Sequence, residues 1–120
     1  ALYLDRLRRD GVRMCVASAT ALPLMKACLD RLGVLDYFDF LLSCEEVGWG
    51  KDRPDVYHEA ARRLGASPGE IAVYEDALGA AKTAKMAGYY VVAVYDGGTQ
   101  PWEELKKLAD EAIDNWKEEI

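Results

Sequence analysis

The sequence predicts an α/β domain built on a parallel sheet that is covered on both faces. Three observations carry this. Short apolar runs alternate with helical stripes along most of the chain. The runs are nearly continuous in apolar residues rather than alternating, as strands buried on both faces require. Glycines punctuate the boundaries: Gly11, Gly33, Gly65 and Gly88 each follow a helical stretch. The 120 residues make one domain, 1–120, with a single core.

Leu2, Leu4 and Leu7 form a short helical stripe that Gly11 ends. Met14-Cys15-Val16-Ala17 is too short for a helix and suits a buried strand. The spacing then predicts a helix over 22–32, with Leu24, Met25, Cys28, Leu29 and Leu32 on its inward face. Phe38 to Leu42 reads as the second strand and Glu45 to Arg53 as a polar loop. Pro54 suits a first helical turn. The helix it opens runs to Leu64, with Val56, Tyr57, Ala60, Ala61 and Leu64 turned inward. Ser67-Pro68-Gly69 is a turn, Ile71 to Tyr74 a strand, 77–87 an Ala-rich helix and Tyr90 to Tyr95 a fourth strand. Pro101 opens a last helix whose stripe is Trp102, Leu105, Leu108, Ala112 and Trp116.

Composition narrows the classes. Apolar residues are 51% and charged residues 30%, a globular balance. The net charge of -6 argues against a nucleic-acid binder, which normally shows a basic patch. No apolar run approaches the ~18 residues of a membrane span, and no signal peptide is visible. Cys15, Cys28 and Cys44 lack metal-ligand spacing, and a single His accompanies them. They read as three buried thiols of a cytoplasmic protein.

In a doubly wound sheet, ligands bind beyond the carboxyl ends of the strands. Ser18 follows the first apolar run, where its hydroxyl can donate to a phosphate oxygen beside the Ala19 amide, or can serve as a turn or helix-capping serine. Lys51, ahead of a helix, can place its ammonium over an anion, or can be a solvated loop residue. Gly48-Trp49-Gly50-Lys51 is no P-loop, because Glu45 stands where its first Gly would be and Asp52 where its Ser or Thr would be. Glu75-Asp76 ends an apolar strand, and two carboxylates there suit Mg²⁺ completed by water and phosphate. The competing role is a helix N-cap at Asp76. Asp96-Gly97-Gly98-Thr99 half-resembles an aspartyl nucleophile loop, but Gly98 replaces the second acid, so it reads as a turn. His58 falls inside a helix and is expected to be packed or at the surface.

Ser18 after a strand, Lys51 in a GKxxPD context and Glu75-Asp76 opening EDxxxGxxxAxxAG together resemble motifs two, three and four of the haloacid dehalogenase superfamily. The likeness is closest to its phosphoglucomutase-like and phosphoglycolate-phosphatase-like branch. Two departures are Ala77, where the family often has Ser, and Asp52-Arg53, where a small residue and Pro are common. The resemblance implies a Rossmann-like three-layer sandwich and a Mg²⁺-dependent phosphatase acting on a small phosphorylated metabolite. Ser18 and Ala19 would bind the phosphoryl group, Lys51 would neutralise its charge, and Asp76 with Glu75 would hold Mg²⁺. Cationic groups aimed at a transferring phosphoryl group are what this chemistry needs.

The family's first motif, which supplies the aspartyl nucleophile, does not occur in this sequence. The resemblance therefore implies that the chain is the C-terminal half to two-thirds of a phosphatase, inactive by itself, whose partner is an N-terminal segment carrying the nucleophile strand. That strand would lie between the strands ending at Ser18 and Glu75, so the sheet is expected to be incomplete there, with a slot about 9.6 Å wide at a strand spacing of ~4.8 Å. Two other readings remain open at this stage. One is a non-catalytic phosphate- or metal-binding module; the other is an unrelated doubly wound nucleotide binder, disfavoured by the lack of a glycine-rich loop after the first visible strand.

Overall fold

Apolar runs became strands and stripes became helices in the expected alternation. The computed structural model describes residues 2–98 and 100–114. Helix α1 (Leu2–Arg9) leads to β1 (Cys15–Ser18), α2 (Leu22–Arg31) and β2 (Phe40–Ser43). Then come α3 (Cys44–Val47), α4 (Asp55–Leu64), β3 (Ala72–Glu75), α5 (Leu78–Met86), β4 (Tyr90–Val94), α6 (Trp102–Leu108) and β5 (Glu111–Ile113). Single 3₁₀ turns at Leu35–Tyr37 and Pro68–Glu70 precede β2 and β3.

All observed strand pairs are parallel, but they form two separate sheets. β1 pairs with β2 so that Ser18 stands opposite Ser43. β3 pairs with β4, setting Glu75 opposite Ala93, and β4 pairs with β5. β1 and β3 do not pair with each other. Between them runs a groove of about 820 Å³, lined on one wall by Cys15, Val16 and Ala17 and on the other by Val73, Tyr74 and Glu75. The incomplete sheet expected from the sequence is thus observed, with its gap at the expected place.

Helix α4 spans the gap. It packs on β1 and β2, while Tyr57 donates its hydroxyl to Glu75 at the end of β3 and His58 bonds Tyr89 just before β4. One core cluster results, in which Leu42, Val56, Ala61, Ala81, Val91 and Leu105 are all buried. The opposite side is thinner. Leu24 and Leu32 of the predicted inward stripe are 67% and 65% exposed, and only Met25 of α2 is buried. The apolar face read from periodicity is therefore wider than the contact α2 makes with β2. Cys28 is likewise exposed and Cys15 half-buried, so only Cys44 of the three thiols is buried.

Two further elements differ from the expectation. The polar loop after β2 contains α3, whose N-terminus is closed by a capping box: Ser43 accepts from the Glu45 amide, and Glu46 accepts from the Ser43 amide. Gly48, at φ 92°, ends it in the left-handed conformation. The last helix stops at Leu108, and Ala112 lies in β5. The chain leaves the helix because Ala109 turns extended and the Asp110 carboxylate accepts from the Val91 amide at 2.8 Å and from Lys85 at 2.6 Å. Those bonds dock the next residues onto the open edge of β4. Trp116 and Thr99 lie outside the described residues.

Candidate active site at the carboxyl edge

The two half-sheets bring their carboxyl ends to one edge. β1 and β2 end together at Ser18 and Ser43, and the Ser43 hydroxyl donates to the Thr20 carbonyl at 2.9 Å, tying the two turns. Ser43 is buried, so its cap and this bond leave it no spare capacity. Ser18 is half-buried, and its oxygen accepts from the Thr20 amide at 3.1 Å. Its proton remains available to an acceptor beyond the strand end. Ala19 is exposed on the same turn.

Lys51 leaves the loop between α3 and α4 and reaches across the groove. Its Nζ stands 3.0 Å from Glu75 Oε2, and Tyr57 donates to that same oxygen at 3.2 Å. The Lys51 side chain is 25% exposed and that of Glu75 8%, so the pair is largely withdrawn from water. Cys44, buried at the end of β2, feels the charges of both Lys51 and Glu75, and its thiol is pushed up chiefly by burial. These contacts fix Ser43, Cys44, Lys51 and Glu75 along one edge of the fold.

Asp76 follows Glu75 and is exposed at that edge. It does not cap the helix after it: Ala77 is the N-cap of α5, no side chain caps there, and the Leu78 amide donates to Gln100 at 3.2 Å. The competing structural role is thereby removed. The Asp76 acid is raised above the ordinary aspartate value, mainly by desolvation against the strand end and then by the Glu75 charge; the Asp96 charge adds to this. Asp96 thus sits close enough to act on Asp76, although its loop is the expected turn, with Gly98 donating to Asp96 Oδ1 at 3.1 Å. His58 is exposed on α4 and bonded to Tyr89, not to any of these groups.

Glu75 and Asp76 are hard oxygen donors of the kind Mg²⁺ takes one or two of, with water and phosphate completing the shell. Glu75 Oε1 accepts a long 3.5 Å bond from the Ala77 amide, and the Asp76 side chain is hydrogen-bonded to Glu75 as well. No three His, Cys, Asp or Glu side chains among the described residues cluster so as to hold a metal unaided. The two carboxylates therefore fit part of a Mg²⁺ shell, one that other groups must complete. Tyr57 is the functional neighbour that sequence reasoning missed. Its place one residue after Val56 marked it only as core, and the hydroxyl was the available signal.

Comparison with known proteins gives the family. The model of haloacid dehalogenase-like hydrolases matches residues 2–88, and the chain belongs to that family. Hexitol phosphatase B of Escherichia coli is 32% identical over 89 residues, covering 72% of this chain and 40% of that protein. Beta-phosphoglucomutase of Bacillus subtilis is 30% identical over 94 residues, covering 78% of this chain and 41% of its own. A crystal structure of a phosphatase of the family from Thermococcus onnurineus superposes with a TM-score of 0.81 at 27% identity, covering 92% of this chain and 50% of the other. These relatives place the chain in the phosphoglucomutase-like and phosphoglycolate-phosphatase-like branch. The chain spans less than half the length of the curated relatives it matches. Among the described residues, no helix is long and apolar enough to cross a membrane.

Proposed function

We propose that this chain supplies the phosphate- and metal-binding edge of a Mg²⁺-dependent cytoplasmic phosphatase that acts on a small phosphorylated metabolite. The observation that carries the reading is the Lys51 ammonium held 3.0 Å from Glu75, at the strand end that presents Asp76. A cation fixed beside two carboxylates at the carboxyl edge of a parallel sheet suits a phosphoryl group. Ser18 donates its hydroxyl to a phosphate oxygen, with the Ala19 amide beside it. Lys51 offsets the phosphoryl charge, and Asp76 with Glu75 holds Mg²⁺. When bound, Mg²⁺ neutralises charge on the phosphoryl oxygens.

The nucleophile comes from an N-terminal segment whose strand occupies the groove between β1 and β3. Its first aspartate attacks phosphorus and breaks the ester P–O bond, the second aspartate protonates the departing alcohol, and water hydrolyses the aspartyl-phosphate or, in a mutase, a second hydroxyl accepts its phosphoryl group. The groove supports this because its walls are the unpaired edges of two apolar parallel strands. Unpaired backbone groups in such a place cost roughly 1–3 kcal/mol each, so a parallel strand is the occupant that satisfies both walls.

The test joins the chain to a segment bearing an apolar strand that ends in two aspartates. The 120-residue chain alone is expected to leave a generic aryl phosphate intact. The joined protein is expected to hydrolyse it in a Mg²⁺-dependent way that Lys51→Ala and Asp76→Ala each abolish. Turnover by the chain alone, lost in Asp76→Ala, would refute the missing-nucleophile reading.

A further inference from the structure

We propose that Tyr57 is a positioning residue: its hydroxyl fixes the Glu75 carboxylate, and Glu75 in turn aims the Lys51 ammonium. The inference rests on the assignment of Lys51 to the phosphate. Three elements converge on one oxygen. Tyr57 Oη from α4 and Lys51 Nζ from the preceding loop meet Glu75 Oε2 at 3.2 Å and 3.0 Å. Tyr57 is 5% exposed, and the second contact of its hydroxyl is the Ala80 carbonyl at 3.4 Å.

The ring is held independently of the hydroxyl. It belongs to the core cluster and packs against Tyr89 with centroids 5.9 Å apart, while the Lys51 ammonium stands 6.0 Å above its own face. Helix α4 therefore sets the ring, the ring sets the hydroxyl, and the hydroxyl stops the Glu75 carboxylate from turning. A carboxylate free to turn would let the ammonium follow it or swing to solvent, since a lysine has four rotatable bonds and a flexible stem. With Oε2 taken by two donors, Glu75 serves chiefly as the anchor of Lys51. That leaves Asp76 the more accessible of the two carboxylates.

The test uses the full chain and Tyr57→Phe, which keeps the ring. The first readout is the ¹⁵N signal of the Lys51 ammonium, assigned by its loss in Lys51→Arg. It is expected to be resolved in the parent protein and broadened to solvent-like exchange in both Tyr57→Phe and Glu75→Gln, with circular dichroism unchanged. The second readout is binding of inorganic phosphate with Mg²⁺, expected to weaken roughly fivefold to tenfold in Tyr57→Phe, the scale of one ordinary hydrogen bond. In the Glu75→Gln background, Tyr57→Phe is expected to add less than twofold, because the hydroxyl acts through Glu75. An unchanged Lys51 signal in Tyr57→Phe, or a full effect persisting in Glu75→Gln, would overturn the proposal. If the parent binds no phosphate, the proposed function fails, while the ammonium signal still decides the role of Tyr57. Should Tyr57→Phe fail to fold, Glu75→Gln decides: an unperturbed Lys51 signal there refutes the anchor.

Discussion

Replacing Lys51 with Met should destabilise the fold more than replacing both members of the Lys51–Glu75 pair. In Lys51→Met the Glu75 carboxylate stays at the end of β3 with a side chain 8% exposed, and only the Tyr57 hydroxyl still donates to Oε2. Breaking a buried pair by removing one partner costs about 3–5 kcal/mol. Lys51 is itself 25% exposed, so water admitted at its place hydrates the carboxylate partly, and about 2–3 kcal/mol is the better expectation. Glu75→Gln should cost less, about 1 kcal/mol, because a lysine can turn its ammonium to solvent. In the double variant no charge is left behind, and glutamine still accepts from Tyr57. Its stability should return to within about 1 kcal/mol of the parent, a coupling of roughly 2 kcal/mol. Urea unfolding at neutral pH measures all four proteins, with the midpoint shifting and the slope unchanged. A double variant as unstable as the sum of the singles would refute the reasoning, because it would mean that the cost is lost packing rather than a stranded charge.

Other consequences can be checked on the same chain. Ser43→Ala removes a helix cap and leaves the Thr20 carbonyl without its 2.9 Å donor, so a loss of about 1–2 kcal/mol is expected by urea unfolding. The Cys15 thiol is raised to about 11, first by burial and then by the Asp39 charge, while Arg63 lowers it. A raised acid contributes stability that is intact below the unfolded value near 9 and is lost as pH climbs through the folded value. Cys15→Ala should therefore flatten the alkaline decline between about pH 9 and 11 by up to about 2–3 kcal/mol, read from urea midpoints. Asp110 is held below the ordinary aspartate range, first by Lys85 and then by the Val91 amide. Its contribution is present above that range and fades as pH falls through the lowered value. Asp110→Asn should speed amide exchange along β5 at neutral pH, and exchange unchanged from the parent would separate β5 from that carboxylate.

What was legible in the sequence followed locality. β1, β3 and β4 fell within a residue or so of their apolar runs, because each run is long enough to fill one strand and too short for a helix. Lys51 and Glu75 could be singled out by position, but not the oxygen they share with Tyr57, since three elements must pack before those atoms meet. The capping box from Ser43 to Glu46 is readable, yet it runs into the polar stretch from Glu45, where a four-residue helix offers no stripe. β5 was hidden by genuine helical spacing at Leu105, Leu108 and Ala112. The competing force was distant, a carboxylate at position 110 finding Lys85 and the Val91 amide. The thin covering of α2 also escaped, because periodicity shows which face is apolar and not how much of it meets a neighbour.

The gap between the half-sheets has a mechanical side. Backbone hydrogen bonds make each half stiff within itself, but none joins β1 to β3, so across the groove the two halves meet through side chains. At the amino end Arg13 spans from Asp39 to the Leu64 carbonyl, both on the β1–β2 side and on α4. At the carboxyl end Lys51 and Tyr57 both cross to Glu75. The molecule is thus built like a book whose spine is α4, with the Glu75 carboxylate as its clasp at the carboxyl end. Any group that drew the ammonium off Glu75 would remove one of the two bonds on that oxygen and leave the Tyr57 bond, with the His58–Tyr89 bond beside it, to hold the halves together.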